Sequence, residues 1–158
     1  MLTDQHQTVH QAVEYAFETF SVQIDQGVAG VCFDHGPINL LDEKLVPELW
    51  RFADMLEVDD RIRVVVFSSA NPDYFLSHAD FRVLQRMRDA GAYDGTDMPY
   101  YSALLERFRT MPKVSIAQVE GRAHGGGAEL VLAMDMSFAA IGRASLSQME
   151  VVIGILPG

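Results

Sequence analysis

A single cysteine, Cys32, in 158 residues leaves no partner for an internal disulfide and no thiolate cluster for zinc. Basic residues are scarce as well: 12 Lys and Arg stand against 22 Asp and Glu, a formal net charge of −10. A surface that acidic repels phosphate backbones, which excludes nucleic acid as the primary partner. It gives no general attraction to anionic lipid either, although a local basic pocket for a phosphorylated ligand stays compatible with it. No apolar run approaches the ~20 residues of a membrane span, so no membrane partner is expected. The opening Met1-Leu2-Thr3-Asp4-Gln5-His6 has no basic n-region and no apolar h-region behind it. It does not read as a secretory signal, and the expected compartment is the cytoplasm. His6 and His10 stand one helical turn apart with no third ligand nearby, so no metal site is expected.

What remains is an ordinary globular composition, 49% apolar and 22% charged, in a length suited to one domain. Apolar spacing predicts a helix over residues 4–17, and two strands over 20–24 and 28–33 joined by the turn Asp25-Gln26-Gly27. A helix is expected over 42–56, where Leu45, Val46, Leu49, Phe52 and Leu56 recur at helical spacing. The run Val64-Val65-Val66-Phe67 reads as a strand covered on both faces. Helices over 80–87 and 100–111 flank a polar, glycine-bearing linker at 89–97. A strand over 114–119 then enters a glycine-rich turn at 121–127, a helix over 128–134 and a strand over 136–140. Strands alternating with helices give an α/β fold class with much parallel pairing. Cys32 and Met111, Met134, Met136 and Met149 are expected in the core. The apolar tail ends on Pro157-Gly158, a dipeptide that normally leads into another element, so the chain is expected to stop mid-domain. Val151, Val152, Ile153, Ile155 and Leu156 are accordingly expected to pack against the sheet or a neighbouring subunit.

Three segments carry chemistry. In the first, the strand over 114–119 leads through Gly125-Gly126-Gly127 directly into an apolar helix. Backbone N–H groups at a helix start have no internal partner, and glycine lets a ligand approach them closely. Such a turn suits a developing oxyanion, and Glu129 lies about one helical turn further on. On the glycines alone, a packing turn is the commoner explanation. The second segment, residues 71–81, joins a strand to a helix that Asp80 is suited to cap. The third, Ser147-Gln148-Met149-Glu150, is polar chain before an apolar run, and Glu150 by itself reads as a surface carboxylate. His124-Gly125-Gly126-Gly127 also resembles the oxyanion turn of lipases and esterases, but the Gly-x-Ser-x-Gly nucleophile elbow of that class is absent. Complete dinucleotide and Walker glycine patterns are absent too.

Taken together, these segments resemble the crotonase (enoyl-CoA hydratase/isomerase) family, in the family's usual order. Residues 75–81 resemble its Phe-x-x-Gly-Ala-Asp loop. Residues 121–130 with Asp135 are similar to its Gly-Gly-Gly-x-Glu-Leu stretch leading to an Asp, and 147–158 to its Gly-Gln-Pro-Glu segment. Residues 37–49 resemble its Asn-Ala-Leu region. The resemblance covers residues 20–158 and leaves 1–19 as an N-terminal helical extension. It implies a ClpP/crotonase spiral of ββα units whose C-terminal helical part is missing here. It also implies an acyl-CoA thioester held by the backbone N–H groups of Ala79 and Gly126, with Glu129 and Glu150 as the catalytic pair. Leu76, Ser77, His78, Phe81 and Gly125 match positions lining the substrate and its CoA moiety. The implied reaction is hydration of a trans-2-enoyl-CoA, with isomerisation, another thioester-enolate reaction or non-catalytic acyl-CoA binding as alternatives. No cofactor is implied beyond the coenzyme A of the substrate, and the implied assembly is a homotrimer or a dimer of trimers. The sequence departs from the family pattern where His78 and Ser147 replace glycines, Met149 replaces proline and Glu120 replaces asparagine.

Overall fold

Gln26 and Gly27 both take positive φ, 47° and 85°, which turns the chain within two residues between strands β1 (Phe20–Asp25) and β2 (Val28–Phe33). The two strands pair antiparallel, Phe20 opposite Phe33 and Asp25 opposite Val28. This computed structural model describes residues 16–82, 85 and 100–154. Most of the helix expected over 4–17 and the whole linker at 89–97 lie outside those residues. Ala16 and Phe17, inside the expected helix, are not helical, and of the helix over 80–87 the described residues are Asp80, which is not helical, and Phe81, Arg82 and Gln85, which are.

Beyond the hairpin the chain repeats one device. Strands β3 (Val64–Ser69), β5 (Val114–Val119) and β7 (Met136–Ala139) add in parallel to a five-stranded sheet ordered β1-β2-β3-β5-β7. Each is followed by a short strand that turns into a second sheet: β4 (Tyr74–Leu76), β6 (Arg122–His124) and β8 (Ser145–Ser147), paired in that order and also parallel. Parallel neighbours cannot be joined by a tight turn, so helical chain has to intervene before the next pair begins. Helix α1 (Leu45–Val58) precedes β3, α2 (Tyr100–Thr110) precedes β5, and α3 (Gly126–Ala133) precedes β7. A 3₁₀ turn over Glu150–Ile153 follows β8. This is the spiral of ββα units that the sequence resemblance implies. Among the described residues, no helix is long and apolar enough to cross a membrane.

The core lies between the large sheet and helices α1 and α2. Leu45, Leu49, Phe52, Ala53 and Leu56 of α1 are buried at helical spacing, and α2 adds Leu104, Leu105 and Phe108. Aromatic edges meet faces there, Phe67 on Phe108 at 5.4 Å and Phe33 on Phe75 at 5.6 Å, the edge-to-face arrangement that ring quadrupoles favour. Helix α1 starts at Leu45 rather than 42 because Asp42 Oδ1 accepts the N–H groups of Lys44 and Leu45, holding its own residue outside the helix. Residues 17–19 pack onto this core. Phe17 stacks on Phe20 at 4.4 Å, and the Glu48 carboxylate accepts the N–H groups of Glu18 and Thr19 and the Thr19 hydroxyl.

Several burial expectations need correction. Only Val65 and Phe67 of β3 are fully buried, because the second face of the sheet is incompletely covered. Cys32 is half-buried on that face. Met111 and Met134 are buried, whereas Met136 and Met149 are exposed. Val151 and Val152 do not pack against this chain's sheet: the 3₁₀ turn holds them at 70% and 79% exposure. Leu132, Phe138 and Ile141 are exposed with them, and β7 buries no residue. Residues 155–158 and the Ile153 side chain lie outside the described part.

Two polar knots fix the loops that reach the site. Asn39, buried and at φ 48°, accepts the His35 N–H at 2.8 Å through Oδ1. Its Nδ2 donates to Ser69 Oγ at 2.8 Å and to the Phe75 carbonyl at 3.0 Å, and its own carbonyl accepts the Ser77 N–H at 2.9 Å. One side chain thus ties the loop before α1 to the ends of β3 and β4. Asp135 Oδ2 accepts the Ser115 N–H at 2.7 Å and hydroxyl at 2.8 Å, clamping the start of β5 to the chain that leaves α3. The Ser115 N–H and hydroxyl bonds hold the Asp135 carboxyl below the ordinary carboxylate range.

Asn39→Ala removes the side-chain partner of the His35 N–H and of the Phe75 carbonyl, while Ser69 Oγ keeps Tyr74 and Asn71, and we expect a stability loss on the order of 3 kcal/mol in urea denaturation. Asp135 contributes stability that is complete above the ordinary carboxylate range and is lost as pH falls through its depressed folded value. Asp135→Asn should therefore flatten the acid limb of the melting temperature measured against pH, and an unchanged acid limb would refute the assignment.

Candidate active site

The site is built where the end of β4 meets the start of α3. A Cβ placed on Gly127 would stand 2.0 Å from the Leu76 carbonyl oxygen and 3.0 Å from that of Ser77. Only a glycine lets the helix backbone close on the strand backbone at that distance. Gly125, just before α3, takes φ 53° and ψ −126°, a conformation that side-chain-bearing residues avoid. A Cβ there would lie 3.0 Å from Glu150 Oε1 and 3.1 Å from His78 Cβ. These contacts bring together three of the sequence-predicted segments: the loop over 76–79, the glycine turn and the 3₁₀ turn carrying Glu150.

The N–H groups of Ala79 and Gly126 stand at this locus without an acceptor among the described residues. Leu41 and Ala79 form an isolated parallel bridge, in which the Leu41 N–H donates to the His78 carbonyl at 3.1 Å and the Asp80 N–H to the Leu41 carbonyl at 2.8 Å. Alternation along extended chain directs the Ala79 N–H to the opposite side. Gly126, first residue of α3, carries one of the N–H groups for which a helix has no internal acceptor. Among the described residues, neither the Ala79 nor the Gly126 N–H has a hydrogen-bond acceptor. Several neighbouring N–H groups are engaged, Ser77 with the Asn39 carbonyl, Gly125 with the Ser147 carbonyl at 2.8 Å and Glu129 with the Gly125 carbonyl at 3.0 Å, whereas those of His78 and Gly127 likewise have no acceptor among the described residues.

Both glutamates stand at this turn. Glu129 is half-buried in the first turn of α3, and Glu150 is half-buried at the start of the 3₁₀ turn. Glu150 Oε2 is shielded from solvent with no hydrogen-bond partner among the described residues, so it is more than the surface carboxylate its local sequence suggests. His78 Nδ1 lies 2.9 Å from the Ala79 carbonyl oxygen, and the His78 ring rests 5.3 Å from that of Phe81. His124, half-buried at the end of β6, has its basicity lowered by burial, then by the positive charge of Arg122 and by His78.

The structure draws Ala79, Gly125, Gly126, Glu150 and His78 into one locus, with Glu129 a turn away. Phe81 is 49% exposed at its rim. Leu76 and Ser77 are sealed in the interior, and what they present to the glycine turn is backbone carbonyl oxygen. Sequence reading missed Tyr101, whose hydroxyl donates to the Gly126 carbonyl at 2.7 Å. Burial, and after it the negative charge of Glu129, raises this phenol well above its ordinary range. No sequence pattern signals such a side-chain-to-backbone bond across 25 residues. Among the described residues, no group of three His, Cys, Asp or Glu side chains is placed to hold a metal ion.

The family model described as enoyl-CoA hydratase/isomerase matches residues 23–158. The chain is 34% identical over 120 residues to enoyl-CoA hydratase domain-containing protein 2, mitochondrial, of Mus musculus, covering 76% of this chain and 40% of that protein. It is 30% identical over 120 residues to methylglutaconyl-CoA hydratase, mitochondrial, of Homo sapiens, covering 76% of this chain and 34% of that one. A crystal structure of enoyl-CoA hydratase from Bacillus anthracis superposes with a TM-score of 0.77 at 27% identity, covering 89% of this chain and 54% of that one. The chain thus spans about half of the solved relative's length and less of the two curated ones.

The glycine contacts generate a graded prediction. Gly127→Ala forces a methyl group into the Leu76 carbonyl and should leave no native near-ultraviolet circular dichroism. Gly30→Ala meets its nearest atom at an ordinary 3.7 Å and should fold with a melting temperature close to that of the parent. A folded Gly127→Ala variant would contradict the backbone contact.

Proposed function

The chain belongs to the enoyl-CoA hydratase/isomerase family, and from that premise we propose that it binds an acyl-CoA thioester and adds water to a trans-2-enoyl-CoA. The observation that carries this reading is the pair of unpaired backbone donors, Ala79 N–H and Gly126 N–H, on loops in contact beside two carboxylates. In the proposed complex both donors bind the thioester carbonyl oxygen. That oxygen gains negative charge as the enolate forms, and donors fixed in advance stabilise it without reorganising.

Hydration needs two proton transfers. As the water oxygen bonds to Cβ, one of Glu129 and Glu150 removes a proton from it, and the electron pair of the Cα–Cβ double bond moves into the enolate. The other glutamate then delivers a proton to Cα as the carbonyl re-forms. A buried carboxylate oxygen with no partner among the described residues, as at Glu150 Oε2, is suited to a bound water. His78 and Phe81, at the rim, are assigned to the CoA portion of the ligand, with Leu76, Ser77 and Gly125 shaping the wall. No cofactor is required beyond the coenzyme A that the substrate carries.

The same reading includes assembly as a homotrimer or a dimer of trimers. Exposure of Leu132, Phe138, Ile141, Val151 and Val152 supports it, since apolar surface of that extent favours coverage. We retain the cytoplasm as the working compartment from the sequence, although both curated relatives above are named as mitochondrial proteins.

In the full-length protein, Glu129→Gln and Glu150→Gln should each lower the kcat for crotonyl-CoA hydration by about 100-fold or more, with acyl-CoA affinity by calorimetry nearly unchanged. Full activity in either variant would eliminate the two-carboxylate mechanism. Isomerisation that survives the loss of Glu150 would reassign the protein to double-bond migration.

A further inference from the structure

Tyr101 lies in the first turn of α2 and takes no part in the chemistry above. Its hydroxyl donates to the Gly126 carbonyl oxygen at 2.7 Å. Its ring lies flat enough against Gly126 that a Cβ added there would come within 3.2 Å of Tyr101 Cε1 and 2.5 Å of Leu41 Cδ1. Although the residue is half-buried overall, the hydroxyl end is deep, and the negative charge nearby is that of Glu129.

The aim of the Gly126 N–H is an unusual mechanical problem. It sits in the run Gly125-Gly126-Gly127, where no side chain restricts the backbone. Gly125 is held by the Ser147 carbonyl and Gly127 by its contact with Leu76. Gly126 itself has no side chain to anchor, and its N–H has no acceptor among the described residues. The peptide before it is held by the Glu129 N–H on the Gly125 carbonyl at 3.0 Å, and the peptide after it by the Tyr101 hydroxyl on the Gly126 carbonyl, with the Leu41 methyl group close to its α-carbon.

We propose that Tyr101 is a positioning residue, whose hydroxyl pins Gly126 so that its N–H stays aimed at the thioester oxygen as charge grows there. This rests on the acyl-CoA reading above and deepens it. A donor that drifts by a fraction of an ångström weakens the transition state more than the ground state, because the oxygen carries its largest charge in the transition state. The signature is therefore a fall in kcat at nearly constant KM. The phenol has to stay neutral to donate, and burial together with the adjacent carboxylate favours that form.

The test compares the full-length protein with Tyr101→Phe, which keeps the ring and removes the hydroxyl. Two readouts are taken: crotonyl-CoA hydration kinetics, and the carbonyl stretch of bound butyryl-CoA carrying ¹³C at the thioester carbonyl. We expect kcat to fall by about 10-fold to 100-fold with KM within about twofold, and the stretch to move back toward its value in free solution. An unchanged kcat and stretch, or a raised KM at constant kcat, overturns the inference. If the variant is unstable at the assay temperature, the comparison is made where its near-ultraviolet spectrum matches the parent. A variant that folds at no temperature makes Tyr101 a structural residue and also overturns the inference. If the parent protein neither shifts the butyryl-CoA stretch nor hydrates crotonyl-CoA, the acyl-CoA reading itself fails. A parent that shifts the stretch without hydrating keeps the inference testable on the spectrum alone.

Discussion

A carbonyl oxygen packed where a methyl group would otherwise stand, Leu76 against Gly127, sets the separation between the two halves of the site. Leu76 ends a strand of the small sheet and Gly127 begins a helix, so the contact joins two elements whose backbones normally keep side chains between them. From it follow the closeness of His78 to Gly125 and the placing of Glu150 beside both. A second contact of this kind, Gly121 against the Asp73 peptide, repeats the device at the other end of β4 and β6. The small sheet, with three strands of three residues each, contributes too few ladder bonds to define these positions alone. Steric closure at glycine supplies the precision that sheet length does not.

Side-chain knots complete the frame. Asn39 reaches β3, β4 and the loop beyond β4 at once, and its αL backbone is one that Asn tolerates better than most residues. Asp135 does the same for β5 and the exit of α3. Both satisfy buried or semi-buried backbone donors that the sheets leave over. Their influence on the site is indirect, through the angles at which loops leave the strands.

Much of the large sheet was legible in the sequence, because its strands carry strong apolar patterns. Residues 28–33 and 114–119 were placed without error, and the Gln26-Gly27 turn was marked by its glycine. Strands β6 and β8 were not legible, since three residues do not establish a period. The glycine run hid β6 inside what reads as a turn. The exposure of Met136, Phe138, Val151 and Val152 was illegible for a different reason. Hydrophobicity says that a residue favours burial, not which surface covers it. At the site, the sequence marked both glutamates and both donor positions through motif resemblance. It could not show which backbone N–H groups lack acceptors, because that depends on pairing across the fold.

The free donors at Ala79 and Gly126 belong to the main chain, and this has a consequence for how such a protein can change. No substitution at either position deletes an N–H, short of proline. The N–H groups themselves are therefore insulated from point mutation, though their aim is not, while Glu129, Glu150 and His78 stand beside them as replaceable side chains. On the proposed acyl-CoA reading, the fold separates a nearly immutable electrostatic element from adjustable side chains, the two glutamates that move protons and His78 beside the CoA portion. On that reading, variation at the adjustable positions redirects the chemistry without rebuilding the scaffold that holds the two backbone donors.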